Sequence, residues 1–283
     1  MLMQDSRIYC KVKNSRNIVV LAEFPEGAWE SVRFAMEKLI RPQLGLVLVQ
    51  TYRKPDFGQS LLNNLTPVLE RIARNELLEL KNRTIRHYQY HEDEISVLPF
   101  EGDWGSFVRY GQEMVSPEFL VTSLKKSFPG AVQVLDDRLG KLAVQSTRPL
   151  FVLPDQWQEG PFERVLFLTA TTGTVPRKIE YLSRLPFPAG KIPVDLRIIS
   201  REKQDALPNF IAEYLHTCFG EKQFELQSAA LIAKPGAALS LIDQLQPSLI
   251  VVDQGLVDST RKGRKLKLKS WLENNRGVPL LIC

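Results

Sequence analysis

Ser248-Leu249-Ile250-Val251-Val252-Asp253 and, after a basic segment, Gly277-Val278-Pro279-Leu280-Leu281-Ile282-Cys283 decide how this chain is read. Continuous apolar runs of strand length mark strands buried on both faces, as in a parallel sheet covered by helices. The same block stands earlier in altered form. Ala131-Val132-Gln133-Val134-Leu135-Asp136 is followed by a short connection and then Arg148-Pro149-Leu150-Phe151-Val152-Leu153-Pro154. The chain reads as two copies of one α/β plan, residues 1–154 and 155–283.

Working outward from these runs gives the element order. Asn17-Ile18-Val19-Val20-Leu21-Ala22 is a strand, and Trp29, Val32, Met36 and Leu39 recur at the spacing of one buried helix face. Leu44 to Gln50 is the next strand, which makes a right-handed β-α-β crossover. Thr66-Pro67 starts a second helix as N-cap and first helical residue. Residues 84–91, with Thr, Ile and Tyr, predict a polar edge strand. Ser116-Pro117-Glu118 predicts a third helix start, and residues 101–114 carry no clear pattern. In the second half, strands are expected at 164–170, 194–199 and 224–232, with helices at 175–185, 205–219 and 235–245.

Composition narrows the classes of function. Hydrophobic residues make up 44% and charged residues 24% of 283 residues, the balance of a globular protein. No apolar run approaches the ~18 residues of a membrane span, and residues 1–17 lack a signal-peptide core. The expectation is a cytoplasmic protein without membrane insertion. Cys10, Cys218 and Cys283 are too scattered for a disulfide framework or a zinc site. The net charge of +5 permits contact with anions without pointing to nucleic acid.

The order of elements, in two copies, resembles the universal stress protein family in its tandem form. The resemblance runs from about Asn17 to Cys283 and rests on the first-strand runs at 17–22 and 164–170, on Leu249 to Asp253, and on Val278 to Ile282. It implies two tandem doubly wound parallel five-stranded sheets flanked by helices, each ordered 3-2-1-4-5, with a crevice where strands one and four part. It also implies an Asp ending the first strand and a Gly-x2-Gly-x9-Gly-Ser/Thr loop after the fourth, the features that bind adenine nucleotide. Here the first strands end in Ala22-Glu23 and Thr169-Ala170-Thr171. Gly255 and Gly263 follow Asp253 at a different spacing, and only Gly140 follows Asp136.

Candidate ligand residues therefore gather in the second half. Thr169 and Thr171, with Thr172 and Gly173, form a polar turn that either lines the crevice or caps the next helix. Asp253 either positions a ligand hydroxyl or caps its own turn, with Gln254 and Gly255 beside it. Lys262, Gly263 and Arg264, within the basic run 261–269, either neutralise a phosphate or form a solvated helix face. His87 and His91 share a face if residues 84–91 are a strand, but their backbones then stand ~13 Å apart, too far for one ion. No nucleophile or general-base constellation is recognisable. The expectation is a non-enzymatic stress-related regulatory or interaction protein without a cofactor, as a homodimer or an intramolecular pseudo-dimer. The alternative is an ATP- or AMP-binding stress protein, with weak ATPase activity at most.

Overall fold

The computed structural model describes residues 16–22, 25–53, 65–123, 142–154, 157, 159–170, 173, 175–199, 209–220, 224–232, 239–257 and 277–283. The chain divides into two compact units, Met1–Thr122 and Ser123–Cys283.

In the first unit, β1 (Asn17–Leu21) pairs in parallel with both β2 (Gly45–Tyr52) and β4 (Pro117–Ser123), and β2 pairs with β3 (Ile95–Glu101). The order is β3-β2-β1-β4. Central β1 is apolar at successive positions because both of its faces are covered: Ile18, Val19 and Val20 are wholly buried. Helix α1 (Pro25–Phe34) continues into a widened turn at Ala35–Leu39 and buries Val32, Phe34, Ala35 and Leu39.

Two expectations fail in this unit. Residues 84–91 do not form a strand, because α2 (Leu65–Tyr88) runs through Tyr88. Its buried stripe, Ala73, Leu77, Leu80 and Thr84, keeps helical spacing past the β-branched residues. Thr84 compensates by donating its hydroxyl to the Leu80 carbonyl at 2.8 Å. The second failure is Ser116-Pro117, which ends a helical stretch instead of starting one. Short helical pieces at Trp104–Ser106, Phe107–Gly111 and Gln112–Val115 fill the unassigned region, and Ser116 closes them in the left-handed conformation at φ 42°. Pro117 then opens β4 at a strand's first position, where its missing N–H costs least. The fourth strand of the first half is thus Pro117–Ser123, while residues 131–136, expected to fill that role, lie outside the described residues.

The second unit follows the expected plan closely. Strands β6 (Val165–Thr169), β7 (Ile192–Ile199), β8 (Phe224–Ile232), β9 (Leu249–Val252) and β10 (Leu280–Ile282) are parallel, in the order β10-β9-β6-β7-β8. Counted within the unit and read from the other edge, this is 3-2-1-4-5. Helices α3 (Val175–Leu182), α4 (Asn209–Gly220) and α5 (Leu239–Leu245) lie where the sequence places them.

One pairing has no counterpart in the sequence reading. β5 (Leu150–Leu153) runs antiparallel to β10, with Leu280 opposite Val152 and Ile282 opposite Leu150. These hydrogen bonds tie the end of the first repeat to the second unit. The compact units part at Thr122/Ser123, whereas the sequence predicts two copies parting at 154/155.

Candidate functional site

In the second unit β6 is flanked by β9 on one side and β7 on the other, so the direction of winding reverses between β6 and β9. Open α/β sheets hold ligands at the carboxyl ends of the strands at such a point. Thr169 ends β6, and Asp253 follows β9. The register, with Phe167 opposite Val251, puts Thr169 and Asp253 on one face.

Asp253 is 8% exposed and Thr169 wholly buried. Carboxylate oxygen Oδ2 accepts from the Thr169 hydroxyl at 3.1 Å and lies 2.8 Å from the Lys178 ammonium. Oδ1 accepts from the Gly255 N–H at 3.0 Å. Lys178 is itself only 5% exposed, held on α3 between Val175, Ile179 and Leu182. A buried cation and a buried anion thus meet at the reversal point. Burial works to raise the Asp253 pKa, but the Lys178 charge and hydrogen bond, the Gly255 N–H and the Thr169 hydroxyl overcome it and hold the carboxyl below the usual range. Burial also pushes the Cys283 thiol up to about 12; Lys178 and Arg177 oppose the rise and Asp253 adds to it.

Gln254 turns away from the carboxylate. Its side-chain nitrogen donates to the carbonyls of Ala143, Val144 and Ser146 at 2.6, 2.9 and 2.9 Å, which anchors the helical turn at 142–145. Of the candidate residues, then, the structure joins Thr169, Asp253 and the Gly255 backbone, and gives Gln254 a bracing contact. Thr171, Lys262, Gly263 and Arg264 lie outside the described residues. Sequence reasoning missed Lys178, although its position carried a signal: with Val175, Ile179 and Leu182 it occupies the i, i+3, i+4, i+7 stripe of a buried helix face.

The histidines do not meet on a strand. His87 lies in the last turn of α2 and packs edge-on to Trp29, with ring centroids 5.4 Å apart. Among the described residues no group of three or more His, Cys, Asp or Glu side chains is placed to hold a metal ion, and no helix is long and apolar enough to cross a membrane.

The chain is similar to a universal stress protein from Archaeoglobus fulgidus DSM 4304 at a TM-score of 0.62, over 95% of this chain and 96% of that one at 12% identity. The fold is that of the universal stress proteins. A putative universal stress protein from Pseudomonas aeruginosa UCBPP-PA14 is similar at a TM-score of 0.52, covering 95% of this chain and 92% of that one at 12% identity. A protein of unknown function from Pseudomonas aeruginosa PAO1 aligns over the same shares at a TM-score of 0.51 and 12% identity. No family model and no curated protein matches the sequence.

Within this fold the first unit ends β1 in Leu21-Ala22, where the Ala22 N–H donates to the Val49 carbonyl at 2.7 Å. A buried alanine there offers no side-chain polar group to a ligand. The first unit's reversal point carries Thr122 and Ser123 at the end of β4, whereas the described buried ion pair, Lys178 with Asp253, belongs to the second unit.

Proposed function

We propose that this is a non-enzymatic regulatory or interaction protein of the universal-stress type, acting in a stress response, whose second-unit crevice is closed by its own side chains. The carrying observation is the occupation of Asp253. Its two carboxylate oxygens take the Lys178 ammonium, the Thr169 hydroxyl and the Gly255 N–H.

A carboxylate that reads a ligand hydroxyl must offer an oxygen outward. Oδ2 already serves both Lys178 and Thr169, so a ligand that takes it must part a 2.8 Å ion pair in a largely dry setting, where removing one partner leaves an uncompensated charge. The same three groups also serve each other in a way that needs no substrate: Thr169 donates, Asp253 accepts, and Lys178 neutralises. This supports a scaffold in which the strand ends are locked together.

Native mass spectrometry of protein purified without added nucleotide tests the reading. The expected spectrum shows the bare 32.3 kDa chain or its oligomers. An adenylate retained at one equivalent per chain would contradict closure. A ligand-dependent turnover of ATP above that of a Lys178→Met, Asp253→Asn double variant would contradict the non-enzymatic part.

A further inference from the structure

A second buried charge cluster lies on the opposite face of the same sheet, where none of the crevice residues reach. Asp195 and Arg197 are on β7, in register with Leu166 and Leu168 of β6, and Asp195 also stands opposite Ser228 of β8. Asp195 is 2% exposed and Arg197 8%. Both oxygens of Asp195 are committed. Oδ2 takes two bonds from Arg164, Nε at 2.9 Å and Nη2 at 2.8 Å, and Oδ1 accepts the Ser228 hydroxyl proton.

Arg197 receives no such share. Among the described residues both of its hydrogen bonds leave from Nη1, to the Leu196 carbonyl and to the Ser228 hydroxyl oxygen, each at 2.9 Å. Both acceptors are neutral. Arg164, Asp195 and Arg197 carry charges of +1, −1 and +1, so the cluster holds one positive charge in excess. Burial disfavours the Arg197 charge, and the attraction of Asp195 is offset by the repulsion of Arg164, so the cation is only partly compensated, which is costly, and a guanidinium does not shed its proton to relieve the cost.

The geometry also leaves a way in. Arg197 is opposite Ala230 on β8, the edge strand of the unit, and Ser228, Ala229 and Ala230 are small and only partly buried. Ser228 and Ala230, on the guanidinium's side of β8, are small and lower the sheet surface beside it, while Ala229, opposite Leu196, points to the other face.

We propose that Arg197 is an oxyanion-binding site, taking a carboxylate or phosphate group on its Nε–Nη2 edge. That edge presents two parallel N–H donors at the spacing of two oxygens on one carbon or phosphorus. Ser228 fixes the opposite corner of the guanidinium, and Asp195, held by Arg164, fixes Ser228. The site is independent of the Lys178–Asp253 crevice, so either reading can fail alone.

The test uses the full chain labelled with 15N-arginine, titrated at constant ionic strength with sodium phosphate and, separately, with sodium acetate. The readout is the Arg197 Nε–Hε resonance, assigned with Arg197→Lys or, if that variant does not fold, through its displacement in Ser228→Ala. The expected result is a saturable downfield shift with at least one anion. The tighter of the two identifies the ligand class. Thermal stabilisation by the same anion should need at least ~10-fold more of it in Arg197→Lys, since lysine cannot make the two-pronged contact. Silence toward both anions up to ~50 mM, far above the range of a specific site, would overturn the proposal. So would stabilisation that is unchanged in Arg197→Lys.

Discussion

Replacing Lys178 with methionine removes a buried ammonium while keeping a side chain of similar length on the apolar face of α3. Asp253, its side chain 11% exposed, is then left as a buried carboxylate without its 2.8 Å partner. Breaking one side of such a pair costs ~3–5 kcal/mol. Asp253 keeps the Thr169 hydroxyl at 3.1 Å and the Gly255 N–H at 3.0 Å, which places the expected loss near the lower end, ~3 kcal/mol. The loss should depend on pH with a definite sign. Asp253 titrates in the folded protein below its ordinary value of 3.8. Its contribution is therefore complete above that value and disappears as pH falls through the lower folded one. The penalty of Lys178→Met should accordingly shrink in acid. Hydrogen exchange followed by mass spectrometry on peptides from β6 and β9, at several denaturant concentrations, measures the stability of the second unit. Adding Asp253→Asn to Lys178→Met should restore part of the loss, with a coupling of at least ~1.5 kcal/mol. A single-variant loss under ~1 kcal/mol, the level of an exposed pair, or strict additivity, would refute the reasoning.

Other consequences concern separate parts of the chain. Gln254→Ala deprives the carbonyls of Ala143, Val144 and Ser146 of their shared donor and should cost ~1–2 kcal/mol, seen as faster exchange in peptides covering 142–146. Gly111→Ala places a methyl carbon 2.5 Å from the ring of buried Phe107 and 3.0 Å from Phe100; the overpacking should cost the first unit ~1–3 kcal/mol in chemical denaturation, despite alanine's better helix propensity. With Cys10 and Cys218 changed to serine, Cys283 should react with iodoacetamide at pH 8 roughly 50-fold more slowly than a free thiol, because its thiol is raised from 9.0 to about 12 and its scarcer thiolate is only partly offset by higher nucleophilicity. A rate within tenfold of free cysteine would contradict that burial.

The sequence made the second unit legible because its local and global signals agree. Its strands β6, β9 and β10 are short apolar runs between turn residues, and the strand at Phe224–Ile232 lies where the pattern put it. In the first unit local signals competed with packing. Thr84, Ile85 and Tyr88 have strand propensity, yet they continue a helix whose buried stripe began at Ala73. Ser-Pro-Glu is a helix-start signature, yet the next residues, Phe119, Leu120 and Val121, are buried to within 2% beside β1. The antiparallel union of β5 with β10 joins residues some 130 positions apart, as in Leu150 with Ile282, and such a pairing leaves no local trace.

The candidate site was half legible. Thr169 and Asp253 are found by their places at strand ends, whereas Lys178 is a cation on an apolar stripe and is readable only once that stripe is drawn. Asp195 and Arg197 were hidden more fully. They alternate with Val194, Leu196 and Ile198, the pattern of a strand with one face in water, but both faces of β7 are buried there. Alternation alone does not separate a solvated charge from a paired one.

Calorimetric titration of ATP into the intact chain tests the closed crevice most directly, since a ligand that takes Oδ2 of Asp253 at the reversal point has to displace Lys178. The account predicts no saturable heat up to ~1 mM ATP, a free-energy level at which even weak specific binding is detected. Stoichiometric binding in the low micromolar range, abolished by Asp253→Asn, would contradict it.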